Sequence, residues 1–84
     1  MYLHLGKDVS VNTRNIIAIL DMDSTTLSKS TRTFLTIVEE EGFVRNVSGD
    51  LPKTFVLCEE NGQSVVYITN ISSKTLMGRV ERQS

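Results

Sequence analysis

The stretch Thr54-Phe55-Val56-Leu57-Cys58-Glu59-Glu60-Asn61-Gly62-Gln63-Ser64-Val65-Val66-Tyr67-Ile68-Thr69 reads as two strands folded back on each other. Residues 54–60 and 64–69 are rich in β-branched and aromatic side chains, which fit a pleated surface. Between them Asn61-Gly62 supplies two residues that reach positive φ at low cost, as a type I′ turn requires. A two-residue turn fixes the register, placing Cys58 opposite Val65, Leu57 opposite Val66 and Phe55 opposite Ile68. One face then carries Phe55, Leu57, Val66 and Ile68, and the other Val56, Cys58, Val65 and Tyr67. Both faces are largely apolar, so the hairpin needs cover on each side.

Upstream lies the turn cluster Ser48-Gly49-Asp50-Leu51-Pro52, and before it a helix. Leu27, Phe34, Ile37 and Val38, with Leu35 beside them, recur at three- and four-residue steps, with polar residues mostly opposite. Ser28 or Ser30 is the candidate N-cap, after a polar break at Asp23-Ser24-Thr25-Thr26. Gly42 fits the left-handed position that ends the helix, with Phe43 able to touch Val38, the contact of a Schellman ending. Further upstream, Ile16-Ile17-Ala18-Ile19-Leu20 is a strand apolar on both faces, and residues 2–5 and 9–12 alternate around the turn Gly6-Lys7-Asp8. Downstream, Ser72-Ser73 caps a short amphipathic helix holding Leu76, Met77 and Val80, with Arg79 and Arg82 in its last turn, where cations suit the helix dipole. The expectation is one α+β domain over residues 1–84, ordered ββ-α-ββ-α: a small mixed, mainly antiparallel sheet of about four strands, one main helix and a short C-terminal helix.

A chain of 84 residues buries only roughly 60% of its unfolded surface. One main helix and one short helix are scant cover for strands apolar on both faces, which points to self-association. The alternative is that the C-terminal helix folds back and closes the second face within the monomer.

The composition excludes several function classes. Nine Lys+Arg against ten Asp+Glu give a net charge of −1, so any binding to a polyanion must come from local clustering. The single Cys58 and single His4 leave too few ligands for a protein-only metal centre, and no cofactor is expected. No leader or membrane-spanning run is read, which points to the cytoplasm and no membrane partner. In that setting the two glycosylation-type matches, Asn46-Val47-Ser48 and Asn70-Ile71-Ser72, read as chance. Cys58, mid-strand, reads as a small buried hydrophobe rather than a reactive thiol, and His4 as a packed or edge residue rather than a base. Glu39-Glu40-Glu41 reads as a solvated charge run. The chain is therefore expected to be no enzyme and to have no small-molecule substrate. Among the cations, Lys7 and Arg14 flank the first inter-strand connections, and Arg45 and Lys53 flank the loop after the main helix. If these loops meet at one edge of the sheet, the four make a phosphate-binding patch that an oligomer would repeat. Otherwise they are scattered solubilising charges.

Tyr2-Leu3-His4-Leu5-Gly6, the Val9 and Val11 pair, Ile16-Ile17-Ala18-Ile19-Leu20-Asp21, Phe34-Leu35 with Glu39-Glu40-Glu41-Gly42, Pro52-Lys53-Thr54-Phe55-Val56-Leu57 and Ile71-Ser72-Ser73-Lys74-Thr75-Leu76 together resemble one family. It is that of the extracellular matrix regulatory proteins, RemA/RemB, with the RemB-like branch the nearer, and the resemblance covers nearly the whole chain. It implies a small bacterial cytoplasmic protein tied to transcriptional control of biofilm matrix genes. In the RemA branch it further implies a DNA-binding ring with arginines on its outside. Carried over by position, the arginine before the second long strand corresponds to Arg14. The RemA-like arginine pair before the next strand is replaced here by Leu51-Pro52-Lys53, so only Lys53 offers charge there.

Two readings follow. The first is a DNA-binding transcriptional regulator acting as a ring-like homo-oligomer, with Arg14 and Lys53 as phosphate contacts and Lys7 and Arg45 in support. The second is a non-catalytic protein-interaction module that assists a partner regulator.

Overall fold

The computed structural model describes residues 1–22, 27–49 and 51–83; the polar break at residues 23–26 and position 50 of the turn cluster lie outside them. β5 (Thr54–Glu60) and β6 (Gln63–Thr69) form the hairpin in the register the turn dictates, with Cys58 opposite Val65 and Phe55 opposite Ile68. Asn61 and Gly62 stand at φ 53° and 80°, the double positive φ of the type I′ turn. β3 (Ile16–Asp21) joins β5 antiparallel and β4 (Val44–Asn46) joins β6 parallel, giving a sheet ordered β3-β5-β6-β4.

The mixed, mainly antiparallel four-stranded sheet and both helices are thus as expected, but two more strands are present. β1 (Tyr2–Gly6) and β2 (Val9–Asn12) pair with each other as a separate ribbon rather than joining the main sheet. β4 is a three-residue edge strand formed where the chain leaves α1 and runs beside β6, as a crossover between parallel strands demands. The order is therefore βββ-α-βββ-α.

α1 (Lys29–Glu40) starts where the Ser28 hydroxyl accepts the Thr31 N–H at 3.1 Å. It stops where the Gly42 N–H, at φ 83°, donates to the Glu39 carbonyl and the Phe43 N–H donates to that of Val38, the bond pair of a Schellman ending. Val38 is buried against Leu57 and Val66, with Phe34, Leu35, Phe43 and Phe55 around them. Ile37, expected on this face, is 49% exposed instead.

The opposite face of the sheet packs under Leu3, Leu5 and Val11 of the ribbon and Leu76 of α2 (Ser73–Gln83), which enclose Val56 and Cys58. Two buried threonines lock this layer: the Thr54 hydroxyl donates to the Ile71 carbonyl at 2.7 Å, and that of Thr69 to the Leu5 carbonyl. The second face is thus closed inside the chain by ribbon and α2 together. The shortage of cover that the helices alone implied is made good by strands β1 and β2.

Candidate functional site

Lys7 occupies the β1–β2 turn at φ 48°, and the His4 ring donates from Nε2 to the Lys7 carbonyl at 2.7 Å, closing the turn. Its side chain runs over Gly49, with Nζ 3.3 Å from the point where a Cβ would stand, so this turn meets the segment that follows β4. Lys53 is exposed and held through its backbone: its N–H donates to Thr69 and its carbonyl accepts from Met22, bridging the ends of β6 and β3. Thr69 also grips Leu5, next to Gly6. The two lysines therefore share one end of the molecule.

Arg14 lies at the other end. It sits exposed in a single 3-10 turn, Thr13–Asn15, whose Asn12 side chain accepts the Arg14 N–H at 3.0 Å. That turn feeds Ile16, which pairs with Cys58, whereas Lys53 adjoins Thr54, which pairs with Asp21. The length of β3 separates them, roughly 15 Å at about 3.3 Å per residue. Arg45 is exposed on the edge strand β4, where Nη1 donates to the Gly42 carbonyl at 3.0 Å and the guanidinium lies 5.6 Å from the centre of the Phe43 ring. The structure thus brings Lys7 and Lys53 to one end but gathers neither Arg14 nor Arg45 to them. The reason is topological, since the β2–β3 connection crosses at the end of the ribbon opposite the Lys7 turn.

A second basic feature was not anticipated. Arg79 and Arg82, read from sequence as cations suiting a helix end, project from α2 toward β1, where Arg79 Nη1 donates to the His4 carbonyl at 3.3 Å. With Tyr2, Leu3 and His4 they line an open groove of about 330 Å³. Their spacing, one turn apart on one helix face, was visible in the sequence. The docking of α2 along β1 was not.

Cys58 is fully buried, and burial, then the Glu60 carboxylate, pushes its thiol up to about 12. The Tyr67 hydroxyl donates to Glu60 Oε2 at 2.8 Å, and burial followed by this bond lifts it to about 12. Glu39, Glu40 and Glu41 are exposed at the end of α1. Among the described residues no three His, Cys, Asp or Glu side chains are grouped to hold a metal ion, and no helix is long and apolar enough to cross a membrane.

No family model matches the chain. Extracellular matrix regulatory protein B of Bacillus subtilis (strain 168) is 35% identical to it over 81 residues, covering 96% of this chain and 91% of the relative.

Proposed function

The chain belongs to the extracellular matrix regulatory protein family, and on that premise we propose that it is a non-catalytic, cytoplasmic regulator of extracellular matrix genes that grips the DNA backbone as a ring-like homo-oligomer. The observation that carries this reading is the meeting of the Lys7 turn with the segment after β4, which puts Lys7 and Lys53 on one end. Two lysines on a chain of net charge −1 bind a duplex weakly. Repeated around a ring they become a multivalent track, in which each further contact is made at high effective concentration. Arg14 gives a second phosphate contact at the opposite end, and Arg45, exposed on β4 with one donor on the Gly42 carbonyl, is in support.

Self-association is supported on the α1 side. There Ile17 is 61% exposed on the open edge of β3, beside a groove lined with Phe34 and Leu57. The same apolar groove favours the second reading, a module that seats a partner regulator and leaves DNA to it.

A mobility-shift titration on random duplex separates the two. Binding by the oligomer falls steeply with salt, by about 0.9 in log affinity per log salt for each phosphate neutralised. Lys53→Ala and Arg14→Ala each weaken it evenly across sequences. Salt-insensitive binding, or full binding by both variants, refutes the backbone grip, and no shift at high micromolar protein in low salt leaves the interaction module.

A further inference from the structure

We propose that copies of this chain join head to tail, the Ile17 side chain of one copy seating in a recess between α1 and β4 of the next. The proposal rests on the self-association in the reading above and names the two surfaces that make it. In the sheet order β3-β5-β6-β4, Ile17 is on one edge strand and Val44, in the wall of the recess, is on the other. Such a contact joins unlike patches, so it closes a ring instead of stopping at a pair. Ile17 falls at the bulge where the register against β5 shifts between Ile16 and Ala18, and it is 61% exposed. A bulge on an edge strand re-aims a side chain, and here it presents an apolar knob. The recess holds about 140 Å³ and is lined by Leu35, Val44, Phe55 and Ile68, with the exposed Thr36 and Glu39 beside them. An apolar cavity of roughly 150 Å³ takes a benzene ring, and an isoleucine side chain is no larger.

Charge gives the contact its direction. The first turn of α1 holds Lys29 and Arg32 and its last turn Glu39 and Glu40, all four exposed. Each has the sign that its own end of the helix dipole disfavours. No opposite charge stands three or four residues away along the helix, so the helix itself pairs none of them. The start of α1 lies beside the knob, where Ser30, Thr31 and Phe34 flank Ile17, and its end lies at the recess, which Glu39 lines. Seating the knob of one copy in the recess of the next therefore brings the cations of one α1 to the carboxylates of the other. The negative end of one helix then faces the positive end of its neighbour, and both conflicts with the dipole are relieved.

The test is disulfide cross-linking of the full chain carrying both Ile17→Cys and Thr36→Cys, oxidised under native conditions and run on a denaturing gel, with Cys58 buried and out of reach. A ladder beyond the dimer is expected, because each chain offers both halves of the contact, while either single variant gives none. In parallel, sedimentation follows two charge reversals, Lys29→Glu with Arg32→Glu and Glu39→Lys with Glu40→Lys. Each reversal suits its own helix dipole, so both chains are expected to fold with a cooperative urea transition. Each alone is expected to associate at least tenfold more weakly than the parent, and an equimolar mixture of the two to regain the parent's assembly. The proposal is overturned by a double-cysteine chain that sediments as an assembly yet gives no ladder, or by dimers from Ile17→Cys alone. Reversal variants that assemble like the parent, or a mixture that stays dispersed, overturn it as well. In these cases an assembled parent leaves self-association standing through another surface, whereas a parent that sediments as a monomer removes both. Neither readout involves DNA.

Discussion

Cys58 is sealed beneath the ribbon, and burial lifts its thiol from 9.0 to about 12, while Tyr67, beside Glu60, is lifted from 10.0 to about 12. Both are acids held protonated by the fold. Between pH 9 and 12 the unfolded chain therefore loses protons that the folded chain keeps, and stability falls as pH rises. Urea midpoints measured from pH 7 to 11 should be level to about pH 9 and then decline. Tyr67→Phe should flatten the decline above pH 10 and, by losing the bond to Glu60, cost about 1 kcal/mol at pH 7. A thiol reagent at pH 8 should modify Cys58 only at the rate of unfolding, whereas fast labelling of the native chain would mean the strand is open.

At the level of elements, α1 is defined by its ends more than by its faces. Ser28→Ala should cost about 1 kcal/mol by freeing the Thr31 N–H, and Gly42→Ala about 1–2 kcal/mol by forcing a side chain into φ 83°. The two sites lie at opposite ends of a helix about 18 Å long, so the double variant should show the sum in denaturant unfolding. These end signals, like the Asn61-Gly62 register, were legible because they are local chemistry: a cap, a left-handed glycine, a two-residue turn. β4 was not legible, since Val44-Arg45-Asn46 has no alternation long enough to see and becomes a strand only because α1 delivers it beside β6. The ribbon was visible as alternating sequence but not as a separate layer, because which sheet a strand joins is decided by distant packing. The same limit applied to the cations. Arg14 and Lys7 are close in sequence, yet the ribbon between them is extended, so they end far apart, while Arg79 meets His4 across 75 positions of chain.

Across the whole molecule, α2 has two tasks, closing the second face and walling the groove. Leu76, with no exposed surface, carries the first, and Leu76→Ala should cost about 2–5 kcal/mol in urea unfolding. With that face closed internally, what remains for assembly is the α1 side at the free edge of β3. Ile17 is the sharpest probe of it. Its side chain is mostly exposed, so Ile17→Asp should alter monomer stability by no more than about 0.5 kcal/mol. A buried, unpaired carboxylate at a contact between copies costs several times that, enough to disperse an assembly. Sedimentation at micromolar concentration should therefore show the parent well above 9.4 kDa and the variant near it. The variant should also lose the duplex shift at moderate salt although Lys7, Arg14 and Lys53 are intact, because two or three cations on one chain lack the avidity of a ring. A parent that sediments as a monomer, or an Ile17→Asp chain that stays assembled, would remove the α1 side from the assembly. A monomeric variant that still shifts DNA like the parent would break the link between assembly and binding.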